Sequence, residues 1–125
     1  MVVPKFRAWE ITGKRMVLVG SIDFRNKFIE YTYSPYNDSN RVVSEFLEFC
    51  DVVLMQSTGL FDVNGKEIFE GDVVRMHSGE LLPVKLHHGM FEPVCYYIGN
   101  AFEMVGNVFE NPELLEHPDF REVNK

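Results

Sequence analysis

Polar and apolar residues alternate from Lys5 to Glu10, so that on an extended chain Phe6 and Ala8 face one way and Lys5, Arg7 and Trp9 the other. A turn at Thr12-Gly13-Lys14 leads into Met16 to Phe24, rich in β-branched residues, and Arg25-Asn26-Lys27 is the next turn before a strand from Phe28 to Tyr33. These segments predict a β-meander. Ser34-Pro35-Tyr36-Asn37-Asp38-Ser39-Asn40 then gathers loop-forming residues and is the best candidate boundary along the chain. Between Val42 and Cys50 the apolar positions Val43, Phe46, Leu47 and Cys50 follow a helical spacing and predict a short amphipathic helix, with a strand as the competing reading. Val52-Val53-Leu54-Met55 is a short apolar run expected as a buried strand.

The remainder continues in the same rhythm. Asn64-Gly65, between two apolar runs, predicts a tight hairpin of type I′, which needs positive φ at both central residues. Strands are expected at Val73 to His77, Leu82 to Leu86, Met90 to Val94, Phe102 to Val105 and Val108-Phe109. Asn111 followed by Pro112 and Glu113 predicts an N-capped helix that Pro118 stops. The expected fold is therefore α+β but mostly β: small antiparallel sheets or a small bent barrel with one or two short helices. A single domain over residues 1–125 is expected, divisible into a meander at 1–40 and a helix plus barrel-like unit at 41–125.

Composition narrows the class. At 125 residues, 46% hydrophobic and 25% charged, the chain can bury a core without metal or disulfide, and its eleven Phe favour pleated surfaces over helical turns. Cys50 and Cys95 form no close-spaced pair, and no apolar run approaches the length of a membrane span, which together predict a cytoplasmic protein with buried, structural thiols. Net charge is −7 and uneven: residues 1–50 carry seven Lys and Arg against six Asp and Glu, whereas the rest carries five against thirteen. An acidic second half opposes general binding to phosphate backbones.

Candidate chemistry is sparse. His77, His87 and His88, with Glu80 and Cys95, form the one metal-like grouping, but adjacent histidines on a strand point to opposite faces and no ligand spacing is present, so no metal is expected. The thiols lack a histidine partner in an electropositive setting, no phosphate-cradling loop occurs, and Glu67, Glu70 and Asp72 have no acid and base pattern around them. No catalytic residue and no cofactor are expected. The strongest binding candidate is the basic and aromatic strip of Lys5, Arg7, Trp9 and Arg15, suited to stacking on a base or docking an acidic partner. The competing reading has Trp9 in the core and the cations solubilising an edge strand.

Three segments resemble the YopX family of small bacteriophage and prophage proteins: Lys5-Phe6-Arg7-Ala8-Trp9; the block from Val52 through Thr58-Gly59-Leu60, Asn64-Gly65-Lys66-Glu67-Ile68 and Glu70-Gly71-Asp72-Val73-Val74; and Val105-Gly106-Asn107-Val108-Phe109-Glu110-Asn111-Pro112-Glu113-Leu114-Leu115. Ser57 and Phe69 depart from that pattern, where an aromatic and Tyr are usual. The resemblance implies phage ancestry and small sheets or barrels, and it brings no catalytic residues. The shared Gly, Asn-Gly and Gly-Asp positions set chain shape.

The expected function is a non-enzymatic accessory module that binds protein, either further copies of itself or a host or phage factor, with no membrane partner. A homo-oligomer with contacts from the Lys5 to Phe24 region would cover a sheet edge and ease the charge imbalance. The alternatives are a nucleic-acid-binding small barrel using the basic strip, and an enzyme whose site is invisible in the sequence.

Overall fold

A computed structural model of the chain describes residues 5–37, 40–87, 89–94 and 101–121. It divides into a first unit, Lys5–Leu54, and a second that runs on from Met55. The 34–40 stretch lies inside the first unit, because the strand that follows it pairs back along the strand before it.

In the first unit, β1 (Phe6–Glu10) pairs antiparallel with β2 (Arg15–Leu18). The run expected as one strand from Met16 to Phe24 breaks at Val19-Gly20. The Val19 amide donates to the Phe6 carbonyl at 3.0 Å and the next amide, Gly20, to the Glu30 carbonyl at 2.8 Å, so the chain leaves one sheet and enters another. There β3 (Ser21–Asp23), β4 (Phe28–Tyr33) and β5 (Val43–Glu48) form a three-stranded antiparallel sheet in that order. The β3–β4 turn is held by Asp23, whose Oδ1 accepts from the Asn26 amide at 2.9 Å.

β5 corrects the helix expected at 42–50. Its residues alternate between half-buried (Val43, Glu45, Leu47) and exposed (Ser44, Phe46, Glu48), a period of two. Six consecutive positions pair with β4, and that long-range ladder overrides a local helical spacing of only four apolar residues. Cys50 falls on the short 3-10 turn Phe49–Asp51 and is exposed, so the expectation of a buried thiol fails with the helix. Ala8, Val17, Ile29, Tyr31 and Val52 form this unit's core.

β6 (Val52–Phe61) begins in the first unit and ends in the second; in its sheet it stands between β1 and β7 (Glu67–Phe69), and β7 pairs with it antiparallel. Beyond it, β8 (Asp72–Met76) is the middle strand of a sheet, with β9 (Leu81–Pro83) on one side and β12 (Phe102–Asn107) on the other. β10 (Lys85–His87) and β11 (Met90–Glu92) form a separate hairpin. Ile68, Val74, Met76, Leu82, Val84, Val94 and Phe102 are the second core. Val108 and Phe109, expected as a strand, lie in the turn after β12, where the Asn107 Oδ1 accepts from the Phe109 and Glu110 amides.

Two turn assignments change in detail. The hairpin at 62–66 is not type I′, because Gly65 alone has positive φ, at 79°. The Gly65 amide donates to the Asp62 carbonyl at 3.0 Å and the Asp62 amide to the Lys66 carbonyl at 2.9 Å, a three-residue loop closed by a left-handed glycine. The C-terminal helix is the 3-10 turn Pro112–Glu116, without a side-chain cap from Asn111. That amide side chain instead accepts from the Asn107 backbone at 3.1 Å. Mostly β, in small antiparallel sheets with a few short helical turns, is the class the sequence predicts.

Candidate partner-binding site

The β1–β2 register decides the fate of the basic strip. Arg7 lies opposite Leu18, Trp9 opposite Met16 and Glu10 opposite Arg15. Directly opposed residues share a face, so Arg7 and Trp9 stand with Met16 and Leu18, and strand alternation puts Lys5 with them. Arg15 stands on the other face with Glu10, Ala8 and Val17. The structure therefore keeps Lys5, Arg7 and Trp9 on one face and removes Arg15.

Arg15 has a local task instead. Its Nε donates to Glu10 and its Nη2 to the Tyr31 hydroxyl, while its charge lies 5.4 Å from the Tyr31 ring centroid. The Tyr31 hydroxyl in turn donates to Glu45 at 2.7 Å. Burial first, and Glu45 second, push the Tyr31 phenol up to about 12, against the pull of Arg15. Such a hydroxyl stays protonated and serves as a hydrogen-bond link between Arg15 and Glu45. Arg7 and Trp9 are half-buried, which fits neither a fully exposed cationic strip nor a tryptophan sealed in the core. The loop spacing between β1 and β2 fixed this outcome, since a four-residue turn at 11–14 sets Arg15 against Glu10 rather than against Trp9.

The histidine grouping does not assemble among the described residues. His77 is exposed, His87 meets Glu92 through Nδ1 at 3.2 Å, and His88 and Cys95 lie outside the described residues. Glu48, Cys50 and Asp51 do lie with their ligand atoms within 4.8 Å of one another, a grouping that the helical reading of 42–50 hid. All three are exposed. The carboxylates of Asp51 first, and of Glu48 after burial, raise the Cys50 thiol above its usual value, the reverse of an activated nucleophile.

The acidic residues of the central block are occupied in chain geometry. Glu67 accepts from the Ser57 hydroxyl at 2.6 Å and Asp72 from the Phe69 amide at 2.8 Å. Asp62, which sequence reasoning passed over, is bonded through both oxygens: Oδ1 accepts from the Asn64 and Lys66 amides, and Oδ2 from the Met104 amide at 2.8 Å. Burial opposes its charge, but the Met104, Lys66 and Asn64 amides and the Lys66 ammonium outweigh it and hold the carboxyl below its usual value. An Asp two residues before Asn-Gly was the available signal.

What remains as a surface feature lies on the β3–β4–β5 sheet. β5 ends that sheet, Phe46 on it is 60% exposed, and Val42 just before it 66%. A concavity of about 460 Å³ opens there between Phe28, Phe46, Leu47 and Glu48. Sequence reasoning placed Phe46 on the buried side of a helix and so missed it.

Comparison with known proteins agrees with this architecture. The crystal structure of protein EF1440 from Enterococcus faecalis is similar, at 27% sequence identity and a TM-score of 0.66, over 92% of this chain and 99% of that one. No curated protein matches the chain. The model of the family described as YopX protein matches residues 5–116. With that match over nearly its whole length, and with the family-like segments forming β1, the β6–β8 turns and the end of β12, the chain belongs to the YopX family.

Proposed function

We propose that the protein is a non-enzymatic accessory module of a phage or prophage that binds another polypeptide along the outer edge of β5. One observation carries this reading: β5 ends its sheet while displaying Phe46, 60% exposed, above an apolar concavity. An edge strand leaves half of its backbone N–H and C=O groups directed away from its neighbour, and an extended peptide satisfies them by adding a strand. The hydrogen-bonded state of Arg15, Asp62, Glu67 and Asp72 supports a structural use of the polar residues over a catalytic one.

A random peptide library selected on the folded protein tests this. Selected peptides are expected to protect the Val43–Glu48 amides from hydrogen exchange. A library with no binders, or binders that protect another segment, would overturn it.

Self-association is the second form of the same reading, favoured by β2. That strand also ends its sheet, and Leu18 on it is 67% exposed. A copy-to-copy contact there would draw on the 5–24 region. The nucleic-acid alternative loses support, because Arg15 no longer stands beside Lys5, Arg7 and Trp9.

A further inference from the structure

The chemistry of the partner can be read from the register of the β3–β4–β5 sheet. Across its strands Asp23 faces Phe28 and Phe28 faces Glu48, while one step along Ser21 faces Glu30 and Glu30 faces Phe46. Opposed residues share a face, so Asp23, Phe28, Glu30, Phe46 and Glu48 all stand on one side, and Ile29 and Tyr31 are buried on the other. The result is a checkerboard in which two rings occupy one diagonal and two glutamates the other. Phe28 and Phe46 meet edge to face, with centroids 5.3 Å apart and an interplanar angle of 88°.

The strands of this sheet carry charge of one sign, and the nearest cations in sequence, Arg25 and Lys27, lie in the turn between β3 and β4 at its Asp23 end. Its three strands carry Asp23, Glu30, Glu45 and Glu48 and no Lys or Arg. Glu45 is on the buried side, where the Tyr31 hydroxyl and Arg15, 3.7 Å away, compensate it. The three carboxylates on the checkerboard side have no cation on their own strands. Asp23 keeps its charge readily, since hydrogen bonds from the Asn26 backbone and side chain hold its carboxyl below the usual value.

We infer that the β5 edge takes a basic extended segment whose Arg or Lys side chains lie over the Phe28 and Phe46 rings between Glu30 and Glu48. This rests on the strand-addition reading above and names its partner class. In an added strand every second residue projects to the checkerboard side, so basic residues in alternation match the site's repeat. Ring faces and carboxylates both attract a cation, and together they repel acidic peptide and nucleic-acid phosphate alike.

Three labelled heptapeptides of one backbone, Thr-X-Val-X-Val-X-Thr with X as Arg, Gln or Glu, provide the test by fluorescence anisotropy. The Arg peptide is expected to bind at least about tenfold more tightly than the Gln peptide, with no binding by the Glu peptide; a tenfold ratio corresponds to about 1.4 kcal/mol. Glu48→Lys and Phe46→Ala are each expected to weaken the Arg peptide at least about tenfold, and added salt to weaken it further. Both positions are exposed, and circular dichroism checks that the variants stay folded. Equal binding of Arg and Gln peptides, lost in Phe46→Ala, would overturn the basic partner and leave strand addition standing. No binding by any peptide, or binding untouched by both substitutions, would overturn both.

Discussion

Gly65 and Gly106 are both required, for opposite reasons. Gly65 has φ of 79° and open space around it, so only its backbone conformation demands glycine. Gly106 has ordinary φ, but a Cβ there would lie 2.6 Å from the Asn111 Oδ1 and 2.8 Å from the Leu114 Cδ1. Asn111 cannot retreat without losing its bond from the Asn107 amide. Gly65→Val is expected to cost on the order of 1 kcal/mol or more, and Gly106→Ala about 1–3 kcal/mol through overpacking. Gly65→Asn, able to adopt positive φ, should recover part of the first loss, while no larger residue rescues the second. Denaturant midpoints of the four proteins measure this. Asp62 makes a second prediction. Its folded carboxyl titrates below its unfolded value, so its contribution is present above the unfolded value, about 3.9, and is lost as pH falls through the lower folded one. Asp62→Asn should be less stable at neutral pH and should lose less on acidification below about pH 4. An acid limb as steep as the parent's would show that other groups govern it.

At the level of elements, β5 shows where local pattern and pairing part company. Val43, Phe46, Leu47 and Cys50 have helical spacing, yet the six residues from Val43 to Glu48 alternate, and β4 supplies the partner that makes alternation win. A single strand's periodicity cannot report that a partner exists. By contrast β1, β4 and β8 were legible, because β-branched and aromatic residues bounded by turn residues leave little choice. The proposed interaction surface was illegible for the same reason as β5: Phe28 and Phe46 are 18 positions apart and meet only through register. The burial of the strand gives a direct check. Phe46→Ala should cost no more than about 1 kcal/mol, the loss of one exposed edge-to-face contact, whereas Ile29→Ala on the buried side of β4 should cost about 2–5 kcal/mol. Similar losses at both sites would mean that the Phe46 ring is covered in solution.

For the molecule as a whole, family-like segments account for turns more than for surfaces. Thr58 donates to the Ile68 carbonyl at 2.8 Å, and Asn107 and Asn111 organise the chain after β12. These contacts explain why the sequence reveals kinship and not a partner: its most recognisable residues are consumed in shaping the backbone. The net charge of −7 also conceals the local arrangement, since the first 50 residues are almost neutral yet contain a sheet with four carboxylates and no cation. Self-association through β2 would make sedimentation depend on concentration, and Leu18→Lys should return the protein to a single species near 14.5 kDa. Concentration-dependent mass that survives this substitution would exclude β2 as the contact.

The bond from the Met104 amide to Asp62 spans 42 positions of sequence. During synthesis the carboxylate is made first, and at about 5–20 residues per second its partner amide follows about two to eight seconds later. The first unit is one contiguous stretch ending at Leu54. It can therefore gather its own core while the Asp62 Oδ2 still waits for the Met104 amide, and the nascent chain is expected to assemble from its N-terminal sheets towards its last strand.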